Sequence, residues 1–263
     1  MNRYLNEEKS RKQFDKRCVT LEGSEKTFEI AMMGSGEPTV VLINGAGGPI
    51  EGWMKCWPLF DGSCTVFAYN RLGVGKSSAP SEPQTAMQMG EDLRNLLCAS
   101  GIKPPYLLVG HSLGGFIAQA YSSMYPDEVY AVLFLESSTI EDVEASKKRT
   151  KSSSLVSSSP VGDPIGTTYL MTEVDCVPQS VDQLKSLERF PQVPITVIAG
   201  FHPMGKMFLP KGRFQKRFDN QKKLLDLSNE SQLIVAAKSG HFPQMNEPKL
   251  VVEAIFDLKR KKR

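Results

Sequence analysis

The stretch Tyr106-Leu107-Leu108-Val109-Gly110-His111-Ser112-Leu113-Gly114-Gly115 limits what this chain can fold into more than any other. An apolar run ends at Gly110, a serine follows two residues later, and helical periodicity runs over 116–125. The G-x-S-x-G spacing therefore falls between a strand and a helix. A serine on so sharp a turn needs glycine-sized neighbours, because strand and helix pass too close for side chains at Gly110 and Gly114. Its hydroxyl then stands clear of the backbone, beside the N–H groups and positive dipole end of the following helix.

The rest of the chain repeats the strand-then-helix rhythm. Cys18-Val19-Thr20-Leu21 and Thr27-Phe28-Glu29-Ile30-Ala31-Met32 alternate in polarity around Gly23-Ser24, which predicts an antiparallel hairpin at a sheet edge. Thr39-Val40-Val41-Leu42-Ile43, Thr65-Val66-Phe67-Ala68-Tyr69 and Val129-Tyr130-Ala131-Val132-Leu133-Phe134-Leu135 are largely apolar, as strands covered on both faces are. Pro194-Ile195-Thr196-Val197-Ile198-Ala199-Gly200 and Gln232-Leu233-Ile234-Val235-Ala236 continue the series. Helices are expected over 85–100, 214–227 and 247–258, the last opened by Pro248. The pattern predicts an α/β fold, a mostly parallel eight-stranded sheet with helices on both faces. The segment 138–190 breaks the rhythm and is rich in serine, lysine and acidic residues. It is too long for a plain connection and reads as an inserted lid with short helices near 180–190. The organisation expected is a single domain over 14–263 carrying that insertion, with a loose polar arm at 1–13.

The chain is 263 residues long, 40% hydrophobic and 23% charged, which suits a soluble globular protein with a sizeable core. A net charge of +3 is too small to argue for nucleic acid, and the basic end Lys259-Arg260-Lys261-Lys262-Arg263 reads as a solvated tail. The five cysteines, Cys18, Cys56, Cys64, Cys98 and Cys176, suit neither a metal site nor a redox pair; they read as reduced thiols of a cytoplasmic protein. No apolar leader or run of about 18 apolar residues is present, so no membrane insertion is expected. No metal cluster, Walker loop or dinucleotide fingerprint occurs, so no cofactor is expected: Gly45-Ala46-Gly47-Gly48 lacks the spacing and the acidic partner.

A serine hydroxyl becomes a nucleophile when a base lies within hydrogen-bond reach and a third group orients that base. The chain has three histidines. His111 adjoins Ser112, where a side chain on such a turn points into the packing. His202 follows the strand ending at Gly200, and His241 follows the last strand in Lys238-Ser239-Gly240-His241-Phe242-Pro243. Strand C-termini of an open parallel sheet gather at one edge, so His241 and Ser112 meet there, and His241 is the expected base.

The whole pattern resembles the α/β-hydrolase family over roughly residues 17–258. The resemblance rests on Asn44-Gly45-Ala46-Gly47-Gly48 at the family's oxyanion loop, Asn70-Arg71-Leu72-Gly73-Val74-Gly75-Lys76-Ser77 at its R-x-x-G-x-G-x-S turn, the Ser112 elbow, and Gly240-His241 after the final strand. It implies that the backbone N–H groups of Ala46 and Leu113 form an oxyanion hole. Asn44 stands where the family commonly has histidine. The family usually takes its acid from the loop after the penultimate strand, yet Gly200-Phe201-His202-Pro203-Met204-Gly205-Lys206 holds no carboxylate. A subset takes it from the strand following the elbow helix, where Glu136 stands. Glu136 is the expected acid; Asp163, Asp175 or a dyad without acid are the alternatives.

A serine in place of aspartate disfavours dehalogenase and epoxide-hydrolase chemistry. The expected activity is hydrolysis of a small-molecule carboxylic ester, thioester or amide through an acyl-enzyme, with aminopeptidase or acyltransferase action as variants. A ligand sensor or regulatory binding protein is the non-enzymatic reading. Trp53, Met54, Phe242 and Met245, with Leu155, Tyr169, Leu170 and Met171 of the insertion, are expected to line an acyl pocket or to pack the lid.

Overall fold

The computed structural model describes residues 14–150, 173–187, 190–201 and 211–261. The strands are β1 (Lys16–Thr20), β2 (Thr27–Met33), β3 (Thr39–Ile43), β4 (Val66–Tyr69), β5 (Tyr106–His111), β6 (Val129–Leu135), β7 (Ile195–Gly200) and β8 (Ser231–Ala236). They form one eight-stranded sheet in the order β1-β2-β4-β3-β5-β6-β7-β8. β1 pairs antiparallel with β2, and β2 antiparallel with β4; every later pairing is parallel. The elements left unread over 50–59 are two short 3-10 turns, Ile50–Trp53 and Trp57–Leu59.

The helices are α1 (Ala86–Ala99), α2 (Gly114–Met124), α3 (Ile140–Thr150), α4 (Val177–Ser186), α5 (Lys211–Lys222), α6 (Pro243–Asn246) and α7 (Pro248–Arg260). Thr85 caps α1 by accepting the Gln88 N–H, and Pro248 opens α7. Alternate residues of the central strands feed two cores. Val41, Ile43, Leu108 and Phe134 pack with Leu93, Leu97, Ile117 and Tyr121 of α1 and α2. Val40, Leu42, Leu107 and Leu133 pack on the other face with Val251, Ile255 and Leu258 of α7. β3, β4, β5 and β7 are buried along their whole length and β6 everywhere but at half-buried Tyr130, which is why their sequences are largely apolar without alternation.

Trp53 belongs to this second core and not to an acyl pocket. The 3-10 turn over Ile50–Trp53 tucks its indole wholly out of solvent, and Met54 packs against the same cluster. The arm 1–13, the serine-rich tract, Leu155, Asp163, Tyr169, Leu170, Met171, His202 and the last two basic residues lie outside the described residues. Among the described residues no helix is long and apolar enough to cross a membrane.

Candidate active site

The C-terminal ends of β5, β6, β7 and β8 carry the chemistry-bearing residues to one edge of the sheet. Ser112, between β5 and α2, has φ +50°, in the left-handed region that a non-glycine residue occupies only under strain. The turn is pinned from several sides. Ser112 N–H donates to the Leu135 carbonyl at 3.2 Å, and the Ser112 carbonyl accepts from Gly115 and Ser138 at 3.0 and 2.9 Å. The flanking glycines are steric necessities. A Cβ at Gly110 would lie 2.7 Å from the Gly114 carbonyl oxygen, and one at Gly114 would lie 2.4 Å from that of Ile43.

His241 follows β8 in a loop fixed by Glu247, whose Oε2 accepts from Lys238 N–H at 2.9 Å and Ser239 Oγ at 2.6 Å. The loop lies directly on the end of β7, since a Cβ at Gly200 would stand 2.2 Å from the Gly240 carbonyl oxygen. His241 Nε2 is 3.0 Å from Ser112 Oγ, and its Nδ1 is 3.4 Å from Glu136 Oε2. Glu136 ends β6 with φ +42°, so both it and Ser112 carry strained backbone. Its Oε1 accepts the Gly200 N–H at 2.7 Å. Burial alone would raise this carboxyl, but the hydrogen bond that a protonated His241 donates, the Arg217 charge and the Gly200 N–H together hold it below the usual carboxylate range.

The structure thus brings Ser112, His241 and Glu136 together. Asp175 and Asp219 are exposed on the surface instead. His111 is buried beside Ser112, as its place on the turn requires. Its Nε2 lies 2.7 Å from the His241 carbonyl, and the two rings are 5.0 Å apart. Burial pushes the His111 imidazole down to about 4, and its nearness to His241 lowers it too. It is neutral at pH 7 and holds the His241 backbone through an Nε2–H donor. The exposed Phe242 ring flanks both histidines, at 5.4 Å from His111 and 5.1 Å from His241.

On the other side of the serine runs the loop after β3. Gly45 faces the nucleophile closely: a Cβ there would be 3.0 Å from Ser112 Cβ and 3.2 Å from His111 Nδ1. Ala46 comes next in this loop, and Leu113, next to Ser112 in the chain, caps α2. Asn44 braces the loop through its side chain, which donates to the Pro49 carbonyl at 2.8 Å.

Three residues around the site escaped the sequence reading. Buried Arg71 donates to the carbonyls of Asn44 and Gly45 and pairs with buried Glu173 at 2.7 Å. Glu173 Oε2 also accepts the Gly47 N–H at 2.9 Å. Arg217 of α5 reaches Glu136 and His241. Arg71 lies within a quoted motif that could have flagged it; Glu173 and Arg217 sit in polar segments whose composition matches that of any solvated helix. Among the described residues no cluster of three or more His, Cys, Asp or Glu could hold a metal ion.

A family model described as alpha/beta hydrolase fold matches residues 38–151, which span β3 through β6 and the elbow. The uncharacterized protein YqjL of Bacillus subtilis strain 168 is 28% identical, over 86% of this chain and 85% of its own length. The human 1-acylglycerol-3-phosphate O-acyltransferase ABHD5 is 35% identical over 39% of this chain and 30% of its own. The crystal structure of the Bacillus subtilis carboxylesterase CesB superposes with a TM-score of 0.65 at 16% identity, covering 99% of this chain and 98% of that one. With its sheet order, its strained serine turn and these likenesses, the chain has the α/β-hydrolase fold.

Proposed function

We propose that this protein is a serine hydrolase that cleaves small-molecule carboxylic esters, or related thioesters or amides, through an acyl-enzyme. The observation that carries the reading is the 3.0 Å approach of His241 Nε2 to Ser112 Oγ, on a backbone turn strained to expose that hydroxyl. In this mechanism Ser112 Oγ attacks the acyl carbonyl while His241 Nε2 takes its proton. Glu136 accepts from Nδ1–H and stabilises the imidazolium so formed. The backbone N–H groups of Ala46 and Leu113 receive the oxyanion, where preorganised donors act at full strength. His241 then protonates the leaving alcohol, thiol or amine, and water, activated by the same imidazole, releases the acid. The 138–190 insertion serves as the lid, anchored by Glu173 to the oxyanion loop. Unpaired thiols, two of them buried, suit a cytoplasmic enzyme.

Hydrolysis of p-nitrophenyl butyrate tests the reading. Turnover by the wild type that disappears in Ser112→Ala is expected; a wild type as inactive as the variant overturns it. Arg217, seated against the acid and base, favours a second reading, a catalytically weak hydrolase-fold sensor or regulatory protein. Such a protein would bind an acyl ligand without turning it over.

A further inference from the structure

The guanidinium of Arg217 stands where serine hydrolysis has no use for a cation. α5 places it behind the His241–Glu136 pair. Nε donates to Glu136 Oε2 at 3.1 Å, and Nη2 donates to the Glu136 carbonyl at 3.1 Å. The same Nη2 lies 3.3 Å from His241 Nδ1. Nη1 reaches Asp142 of α3 at 3.4 Å, and Asn220, one turn further along α5, donates to Asp142 at 2.7 Å. Helix, arginine and acid are therefore docked together. Arg217 also uses the one carboxylate oxygen, Oε2, that faces His241 Nδ1.

A guanidinium carries five N–H donors and no acceptor. It meets Nδ1 favourably only when Nδ1 offers a lone pair, in competition with Glu136 Oε2, which favours a proton on Nδ1 but is itself engaged by Arg217 Nε at 3.1 Å. A neutral imidazole in that state has its proton on Nε2, aimed at Ser112 Oγ. It then donates to the serine and cannot take the serine proton, which is the wrong tautomer for a base. The charged or titratable groups facing His241 are Glu136 from β6, Arg217 from α5 with Asp142 of α3 behind it, and His111 of β5.

Resting on the serine-hydrolase reading, we propose that Arg217 is a positioning residue that shares Glu136 with His241 and holds the imidazole in its Nε2–H tautomer. With α5 docked the site is at rest. When the guanidinium leaves Nδ1, the imidazole proton moves to Nδ1, Glu136 accepts it, and Nε2 becomes the base. Glu136 keeps its place in that exchange, because Gly200 N–H still holds Oε1.

Imidazole 15N NMR on the intact protein tests this, with the three histidines assigned through H111Q, H202Q and H241Q. In the wild type Nδ1 of neutral His241 is expected to be unprotonated. In Arg217→Met it is expected to carry the proton, with kcat/KM on p-nitrophenyl butyrate raised roughly tenfold. Arg217→Lys, which keeps the charge without the planar fork, is expected to fall between the two. A wild-type His241 already protonated at Nδ1, or an R217M variant that loses activity with its tautomer unchanged, overturns the proposal. A tautomer switch without ester turnover in either protein supports the role of Arg217 and overturns the hydrolase reading instead.

Discussion

Ser112 and Glu136 are both held at positive φ, and both face the same imidazole. Strain of this kind costs on the order of 1–3 kcal/mol per residue and persists where the surroundings over-determine it. In this chain backbone hydrogen bonds with Leu135, Gly115 and Ser138 pin one strained residue, while the Gly200 N–H and Arg217 fix the other. Ser112→Ala is expected to lower kcat by about 10⁴-fold or more while leaving the circular dichroism spectrum and melting transition in place. Glu136→Gln keeps the shape but cannot support the imidazolium; a loss of about 10³–10⁴ in kcat is expected from steady-state ester kinetics. His111 makes a prediction about stability. Its folded value, about 4, lies below the ordinary 6.5, so between these two the unfolded chain binds the extra proton. The stability is present in full above pH 6.5 and is lost as pH falls toward 4. Urea unfolding at pH 7.5 and pH 4.5 should show a loss that is about 2 kcal/mol smaller in His111→Gln, where the amide N–H can still meet the His241 carbonyl. Equal losses in the two proteins would contradict the assignment.

At the scale of elements, the loop after β3 and the segment entering α4 are joined through a buried ion pair. Arg71 bridges to Glu173, and Glu173 in turn holds the Gly47 N–H. Removing one partner of such a pair strands the other in a dry site. Glu173→Ala is therefore expected to cost about 3–5 kcal/mol in denaturant unfolding, and ester turnover should fall with it as the Gly47 backbone loosens. The double variant Arg71→Met with Glu173→Met should recover most of the stability but not the turnover. A cost below about 1 kcal/mol for Glu173→Ala would mean that the pair does not tie the segments together. The central strands were legible because their burial is nearly uniform, and the helices because they bury one face. Val129–Leu135 and Ile195–Gly200 are largely apolar and read as buried strands directly. The 3-10 turn that buries Trp53 was not legible, because its four residues have no period to detect.

For the whole molecule, the sheet order explains why residues far apart in sequence meet. β5, β6, β7 and β8 lie side by side and parallel, so the residues after each C-terminal end fall at one edge. Ser112, Glu136 and His241 could be read from the chain because each follows a recognisable strand. Arg217 and Glu173 could not, because their roles depend on which helix docks against that edge, and polar helix sequences look alike until they are packed. The claim from which the others follow is that Ser112 is a nucleophile activated by His241. Intact-protein mass spectrometry after incubation with a fluorophosphonate tests it most directly. Addition of one phosphonyl group, mapped to Ser112, is expected, and none in Ser112→Ala or His241→Ala. An unlabelled wild type, or a label on another residue, would contradict it.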